Sequence, residues 1–162
     1  MKKLEINTKI EVYQNLDELP GEDRQLLLAA TQALAHSYSP YSNFKVAAAL
    51  RLNNGQIVTG SNQENASYPL CLCAERVALA AADATYNGIP IQAIAITARH
   101  PERIMEQPAA PCGACRQVMC ESEQKLGQPM RVLLRGERGI IYALDSASDL
   151  LPLAFAPDQL LG

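Results

Sequence analysis

Two short patterns in the chain pair residue types that do metal chemistry. Cys112 and Cys115 form a C-x-x-C run after Pro111, and Cys73 stands two positions before Glu75. At the start of a helix, residues three apart share a face, so the sulfurs of Cys112 and Cys115 can converge on one ion. A helix N-terminus also favours the thiolate that binds metal. Zinc takes three or four nitrogen or sulfur ligands near tetrahedral positions, so a third ligand must come from elsewhere. Cys73, at another expected helix start, is the best candidate. Three protein ligands leave a fourth position for water, the layout of a catalytic zinc site. Glu75 is then the nearby proton carrier rather than a ligand. The same residues carry other readings. The C-x-x-C also reads as a redox pair, or as half of a structural zinc site completed by Cys71 or Cys120. Glu75 also reads as a solvated first-turn carboxylate favoured by the helix dipole.

The composition sets the frame for these motifs. Apolar residues make up 48% of the 162 and charged residues 19%. These are globular proportions that exclude a disordered or fibrous chain, and the length fits one domain. A net charge of -3 argues against a protein that grips long nucleic acid through its phosphates. Five cysteines cannot all pair internally, and they cluster at Cys71, Cys73, Cys112, Cys115 and Cys120, which points to thiol or metal chemistry rather than a disulfide framework. The two histidines, His36 and His100, sit near no cysteine in sequence and read as structural or surface residues. Met1 to Tyr13 lacks an apolar signal-peptide core, and no apolar run approaches the roughly 20 residues that span a bilayer. The expectation is a cytoplasmic protein.

The elements that must position the motifs follow from periodicity and punctuation. Leu4, Ile6, Ile10 and Val12 alternate loosely with polar residues, so the segment 1–14 reads as holding a strand, ended by Pro20 and Gly21. Glu22 to Ser37 reads as a helix with Leu26, Leu27, Ala30, Ala33 and Leu34 on one face. Phe44 to Leu52 and Gln56 to Gly60 read as a hairpin around Asn53-Asn54-Gly55. Cys73 to Tyr86 is Ala-rich without Gly or Pro and reads as a helix capped by Asn87-Gly88. Ile91 to Thr97 reads as a buried strand, and Cys112 to Leu126 as a second helix stopped by Gly127. Arg131 to Arg135 and Ile140 to Leu144 read as strands, and Asp149 to Leu151 as a short helical turn. Strands alternating with helices after a hairpin suggest a mixed sheet between helices.

At Cys73-Ala74-Glu75-Arg76 and Pro111-Cys112-Gly113-Ala114-Cys115-Arg116-Gln117 the chain resembles the small zinc-dependent cytidine deaminases. The likeness extends through Tyr38-Ser39-Pro40-Tyr41-Ser42-Asn43-Phe44-Lys45-Val46 and Asn62-Gln63-Glu64-Asn65-Ala66-Ser67-Tyr68-Pro69. It ends with Leu150-Leu151-Pro152-Leu153-Ala154-Phe155. It implies an α/β fold, a three-layer α/β/α sandwich with a mixed five-stranded sheet. One such domain spans residues 1–162, with 1–19 as an N-terminal extension. It also implies that Cys73, Cys112 and Cys115 hold one Zn²⁺ per subunit and that water activated there attacks C4 of cytosine. Glu75 would carry the protons, as in zinc deaminases generally. Ala74 would offer its backbone N–H to the base, Asn62 and Glu64 would bind ribose hydroxyls, and Phe44 would line the pocket. Phe155 would reach a neighbouring subunit's site, since the three-cysteine members resemble homotetramers with shared sites.

The implied reaction converts cytidine or 2′-deoxycytidine to uridine or 2′-deoxyuridine with release of ammonia, a step of pyrimidine salvage. Deaminases of antibiotics such as blasticidin S share Cys-x-Glu and Pro-Cys-x-x-Cys, but the full Asn-x-Glu loop and the Leu-Leu-Pro-Leu-x-Phe tail favour the nucleoside enzyme. A polynucleotide-editing enzyme would usually show a His-x-Glu motif and a basic surface. Three thiolates around Zn²⁺ leave a net charge of -1, so the site needs positive compensation. Helix N-termini supply part of it. The resemblance suggests that Arg76 supplies the rest by hydrogen-bonding a cysteine sulfur. Three features depart from the family pattern: Ala47 where Gly is usual, Gln63 where an apolar residue is usual, and the longer N-terminal segment.

Overall fold

The architecture follows from strands that alternate large and small side chains. In the computed structural model, which describes residues 1–161, β4 (Ile91–Arg99) turns Ile94 and Ile96 to one side and Ala93 and Ala95 to the other. β2 (Lys45–Leu52) does the same with Leu50 and Ala48 against Ala49 and Ala47. Around these two run β3 (Ile57–Ser61), β5 (Arg131–Arg135), β6 (Ile141–Leu144) and a short β1 (Glu11–Tyr13). The order across the sheet is β1-β6-β5-β4-β2-β3. Among the strands of the described residues only β4 and β5 pair in parallel, with Ala93 opposite Arg131 and Ile96 opposite Leu134. Such a pairing needs a crossover, and α3 (Gly113–Leu126) supplies it.

α1 (Gly21–Ala33) covers one face, burying Leu26, Leu27 and Ala30 against Ala49, Ala93, Ala95, Leu133 and Ala143. α2 (Ala74–Thr85) and α3 cover the other, where Ala74, Ala78, Leu79 and Met119 meet Leu50, Ile94, Ile96, Val132 and Leu134. The layers are those of an α/β/α sandwich. Each fully buried leucine or isoleucine contributes about 1.5–3 kcal/mol. A final short helix, α4, spans Asp158–Leu161. No helix among the described residues is long and apolar enough to cross a membrane.

The sheet has six strands, not the five expected. The sixth is β1, from the N-terminal extension, which pairs antiparallel with the outer edge of β6: Glu11 opposite Ala143 and Tyr13 opposite Ile141. Arg131 holds it there through Glu11, whose carboxylate Tyr13 of the same strand also bonds. Glu11 accepts a 2.6 Å ion-paired hydrogen bond from Arg131, and the Tyr13 hydroxyl donates to Glu11 at 3.0 Å. The alternating pattern upstream does not become strand, and Leu4, Ile6 and Ile10 stay exposed.

Other boundaries shift for local reasons. α1 ends at Ala33 and continues as a tighter 3₁₀ turn over Leu34–His36. Cys73 and Cys112 are N-caps in extended conformation, one residue before the helices that begin at Ala74 and Gly113. Gly127 ends α3 in the left-handed conformation, φ +65°. The C-terminal turn is a 3₁₀ segment over Ala147–Leu150, tied to α3 by Glu123. That buried carboxylate accepts from the backbone N–H groups of Met130 (2.6 Å) and Ala147 (2.8 Å) and from the Ser146 and Ser148 hydroxyls.

Candidate active site

The N-termini of α2 and α3 lie side by side near the carboxyl end of β4, where open α/β sheets bind their ligands. Gly60 on β3 permits the close approach of α2. A Cβ there would stand 2.7 Å from the Ala74 carbonyl oxygen and 2.9 Å from Ala78 Cα, both rigid helix backbone. α3 is fixed by Arg116, whose guanidinium donates to the carbonyls of Pro111 and Leu150 at 2.9 Å each. This staple joins the loop before α3 to the C-terminal segment.

The two helix starts bring Cys73, Cys112 and Cys115 together. The sulfurs of Cys112 and Cys115 are 3.4 Å apart and those of Cys73 and Cys112 4.0 Å, and all three lie within 4.8 Å of one another. Ligands 2.3 Å from a tetrahedral zinc are separated by about 3.8 Å, so the cluster fits that ion. All five thiols are free. Cys120 lies outside the cluster, donating to the Ala147 carbonyl at 3.7 Å, and Cys71 accepts the Asn65 N–H at 3.2 Å.

The electrostatics match a cation site. Hydrogen bonds from Cys115 and Cys112 pull the Cys73 thiol down to about 6, against its burial and the charge of Glu75, with a smaller pull from Arg76. The same pairing with Cys73, then burial, pushes Cys115 up. Protein groups alone thus favour the thiolate at Cys73 and the thiol at Cys115, and a divalent cation bound between them would supply the charge that favours thiolate ligands. Glu75, only 4% exposed, is pushed above its ordinary value by burial.

A cavity of about 490 Å³ opens beside the cluster, within the range of small-molecule sites. Cys73, Cys112, Glu75 and Ala74 line one end, Asn62, Glu64 and Cys71 another, and Phe44, Val46, Ile96 and Met105 the apolar wall. As the first residue of α2, Ala74 presents a backbone N–H with no intrahelical partner. Asn62 is nearly saturated. Its Oδ1 accepts from the Ser37 hydroxyl at 2.6 Å and the Val46 N–H at 2.9 Å, and its Nδ2 donates to the Phe44 carbonyl at 2.9 Å. Glu64 accepts from the Tyr41 N–H at 2.8 Å, the Ser42 N–H at 3.3 Å and the Ser42 hydroxyl. Those bonds, the Ser42 hydroxyl first, hold its carboxyl below the ordinary carboxylate value. Gln63 turns its amide to Ser61 and the His36 carbonyl.

Two expected site residues are not brought to the cavity of their own chain. Phe155 is 54% exposed, with its backbone N–H and carbonyl both bonded to the Gln117 side chain. Arg76 is exposed and lines a separate groove between α2 and α3 with Leu79 and Val118; among the described residues it makes no hydrogen bond to a cysteine sulfur. Conversely, Ser37, Ser42, His100 and Met105 carry no chemical signature in the sequence, yet they meet the cavity residues. His100 packs edge-on to Phe44, with ring centroids 6.0 Å apart. Ser42 lies inside the motif from Tyr38 to Val46, and the signal of the other three is their position in segments near the motifs.

Comparison with known proteins agrees with this geometry. Residues 20–126 match the cytidine and deoxycytidylate deaminase zinc-binding region. The cytidine deaminase of Halalkalibacterium halodurans is 40% identical over 141 residues, covering 85% of this chain and 98% of that protein. The crystal structure of the cytidine deaminase from Burkholderia pseudomallei superposes with a TM-score of 0.70 at 46% identity, covering 85% of this chain and all of that one. That of Mycobacterium tuberculosis gives 0.64 at 35% identity, covering 85% and 99%. A thiol cluster of zinc dimensions beside a buried glutamate, on a fold shared along most of the chain, places this protein in the cytidine and deoxycytidylate deaminase zinc-binding family.

Proposed function

We propose that this chain deaminates cytidine and 2′-deoxycytidine hydrolytically, giving uridine or 2′-deoxyuridine and ammonia. The observation that carries the reading is Glu75, buried in the cavity wall beside the three clustered thiols. Cys73, Cys112 and Cys115 are the residues that would hold one zinc per subunit, which when bound lowers the pKa of a water and so supplies a nucleophile at neutral pH. Glu75, its proton affinity raised by burial, takes a proton from the water that adds at C4 and delivers it to ring N3. It then moves a proton to the exocyclic amine, which leaves as ammonia. The Ala74 N–H holds the base, Asn62 and Glu64 hold the sugar, and Phe44 packs the apolar wall.

Electrostatics selects a nucleoside over a nucleotide. The cavity lining includes the carboxylates of Glu64 and Glu75 but no lysine or arginine. A phosphate dianion would be desolvated there without a counter-charge. Exposed apolar groups gather in the segments around the cavity: Tyr41, Tyr68, Leu70 and Leu72, with Tyr41 and Tyr68 edge-on at 6.1 Å. Such a patch suits a subunit interface and supports a homotetramer in which Phe155 of a neighbouring copy completes the site. A cytoplasmic enzyme of pyrimidine salvage accords with this reading.

The test is an ultraviolet assay of zinc-loaded protein with cytidine, deoxycytidine, CMP and blasticidin S. Turnover of the two nucleosides and not of CMP is expected. Glu75→Gln should keep its zinc and lose about 10²–10⁴-fold in kcat. Normal turnover by that variant, or wild-type protein inert on both nucleosides, would overturn the assignment.

A further inference from the structure

The loop between β4 and α3, residues 100–112, delivers Met105 to the substrate cavity and Cys112 to the thiol cluster. Little within the loop fixes it. Besides the Arg116 staple at Pro111, it is held by the turn between β5 and β6, which lies outside the cavity lining. The Met105 carbonyl accepts from two successive N–H groups of that turn, Glu137 at 2.8 Å and Arg138 at 3.1 Å. Arg138 also pairs with Glu106 at 3.2 Å, and Arg99 at the end of β4 pairs with Glu137 at 3.0 Å. The turn is itself anchored to β4 by the buried Thr97 hydroxyl, which donates to the Gly136 carbonyl at 2.8 Å.

Two glycines make this contact possible. A Cβ on Gly136 would collide with the Met105 carbonyl oxygen and stand 2.7 Å from that of Gln107. Gly139 adopts φ +86°, and a Cβ there would lie 2.6 Å from the Glu106 carbonyl oxygen. All these obstacles are loop backbone, so any side chain at either position displaces the loop rather than a flexible neighbour.

We propose that the β5–β6 turn is a positioning element for the substrate loop, and that Met105 is a substrate-binding wall of the base pocket. The assignment rests on the reading of the cavity as a nucleoside site. Met105 is half-buried and faces the same space as Phe44 and Ile96. An unbranched thioether there fills the gap against a flat ring. The contact is made with the bound ring throughout, so its loss weakens substrate binding more than it slows the chemical step.

The experiment is steady-state kinetics with cytidine, alongside zinc analysis, for Met105→Ala, Met105→Leu and Gly136→Ala. Met105→Ala should raise KM about tenfold with kcat changed by less than about threefold. Met105→Leu, of similar volume, should return KM to within about threefold of wild type. Gly136→Ala should show the same rise in KM although it adds its methyl outside the cavity. All three should hold the same zinc as wild type. Active wild type with an unchanged KM for Met105→Ala overturns the inference, as does an equal loss from Met105→Leu. Should Gly136→Ala fail to fold, Thr97→Val, which releases the turn from β4, takes its place, and an unchanged KM in whichever of the two folds overturns the role of the turn. Inert wild-type protein would instead overturn the function on which the inference rests.

Discussion

The two faces of the sheet solve the problem of buried charge in opposite ways. Under α1 the sheet presents mostly small residues, Ala49, Ala93, Ala95 and Ala143 beside Leu133 and Ile141, and Leu26 and Leu27 of the helix pack against them. The charges at this face pair with one another. Asp23, buried in the first turn of α1, bonds Arg51 at 3.2 Å and Arg131 at 2.9 Å, and Arg131 reaches Glu11 and Asp145 as well. Under α2 and α3 the sheet presents Leu50, Ile94, Ile96, Val132 and Leu134, and the small residues sit on the helix at Ala74, Ala78 and Ala82. Apart from Glu123, whose buried carboxylate is bonded by neutral donors, the charges here stay open. Two helix starts converge with three thiols and a buried glutamate, and no cation of the chain hydrogen-bonds the sulfurs among the described residues. One helix cannot make such a site, because convergence of dipoles needs two. One face is built for stability and the other for chemistry, and substitutions on the two sides should separate these properties.

Among substitutions outside the cavity lining, the largest effect should come from Gly60→Ala, on the chemical face. Its methyl drives α2 off β3, costing about 3 kcal/mol and lowering kcat at least about tenfold, since Cys73 and Glu75 ride on the start of that helix. Thermal melts and turnover should fall together; a fall in stability alone would break the assignment of the two faces. Asp23→Ala comes next. It leaves two partly buried arginines short of a partner and should cost about 2 kcal/mol, lowering Tm by several degrees. The kcat/KM of the folded enzyme should not change, and a tenfold loss would show that the faces are coupled.

The smallest effect is at the edge strand. The hydrogen bond from Arg131 holds Glu11 below its ordinary value. A lowered folded pKa contributes stability above the unfolded value of about 4.3 and loses it as pH falls further. Exchange of the β1 amides that bond to β6 should therefore quicken, relative to the core strands, as pH falls below about 4.3. Equal slowing or quickening throughout the sheet would show that β1 is not a separate, acid-sensitive unit.

Much of both faces was legible in the sequence, for identifiable reasons. The hairpin at Asn54-Gly55, the run Ile91–Thr97 and the stop at Gly127 carry local signals that tertiary contacts did not override. The thiol cluster was legible because C-x-x-C and Cys-x-Glu are short motifs at helix starts. The sixth strand was half legible. Alternation marked a strand in the segment 1–14, but only the long-range partner Arg131 selects Glu11–Tyr13 from it. Glu123, Arg116 and the pair Gly136 and Gly139 were not legible as anchors. Each acts on backbone groups far along the chain, and nothing in a linear pattern records which carbonyl a side chain will meet.

The near-saturation of Asn62 makes the proposed sugar subsite a reader of hydrogen-bond polarity. With both lone pairs of Oδ1 and one amide hydrogen engaged, Asn62 has a single N–H left to give. Glu64, ionised, can only receive. Between them they demand a group that accepts from one side and donates to the other, which a hydroxyl does and an ether does not. Replacing the recognised hydroxyl by O-methyl leaves the acceptor and deletes the donor. A 3′-O-methyl or 2′-O-methyl cytidine should accordingly bind at least about tenfold more weakly than its parent at whichever position the pair reads. Equal affinity for all three nucleosides would show that this corner of the cavity does not read the sugar.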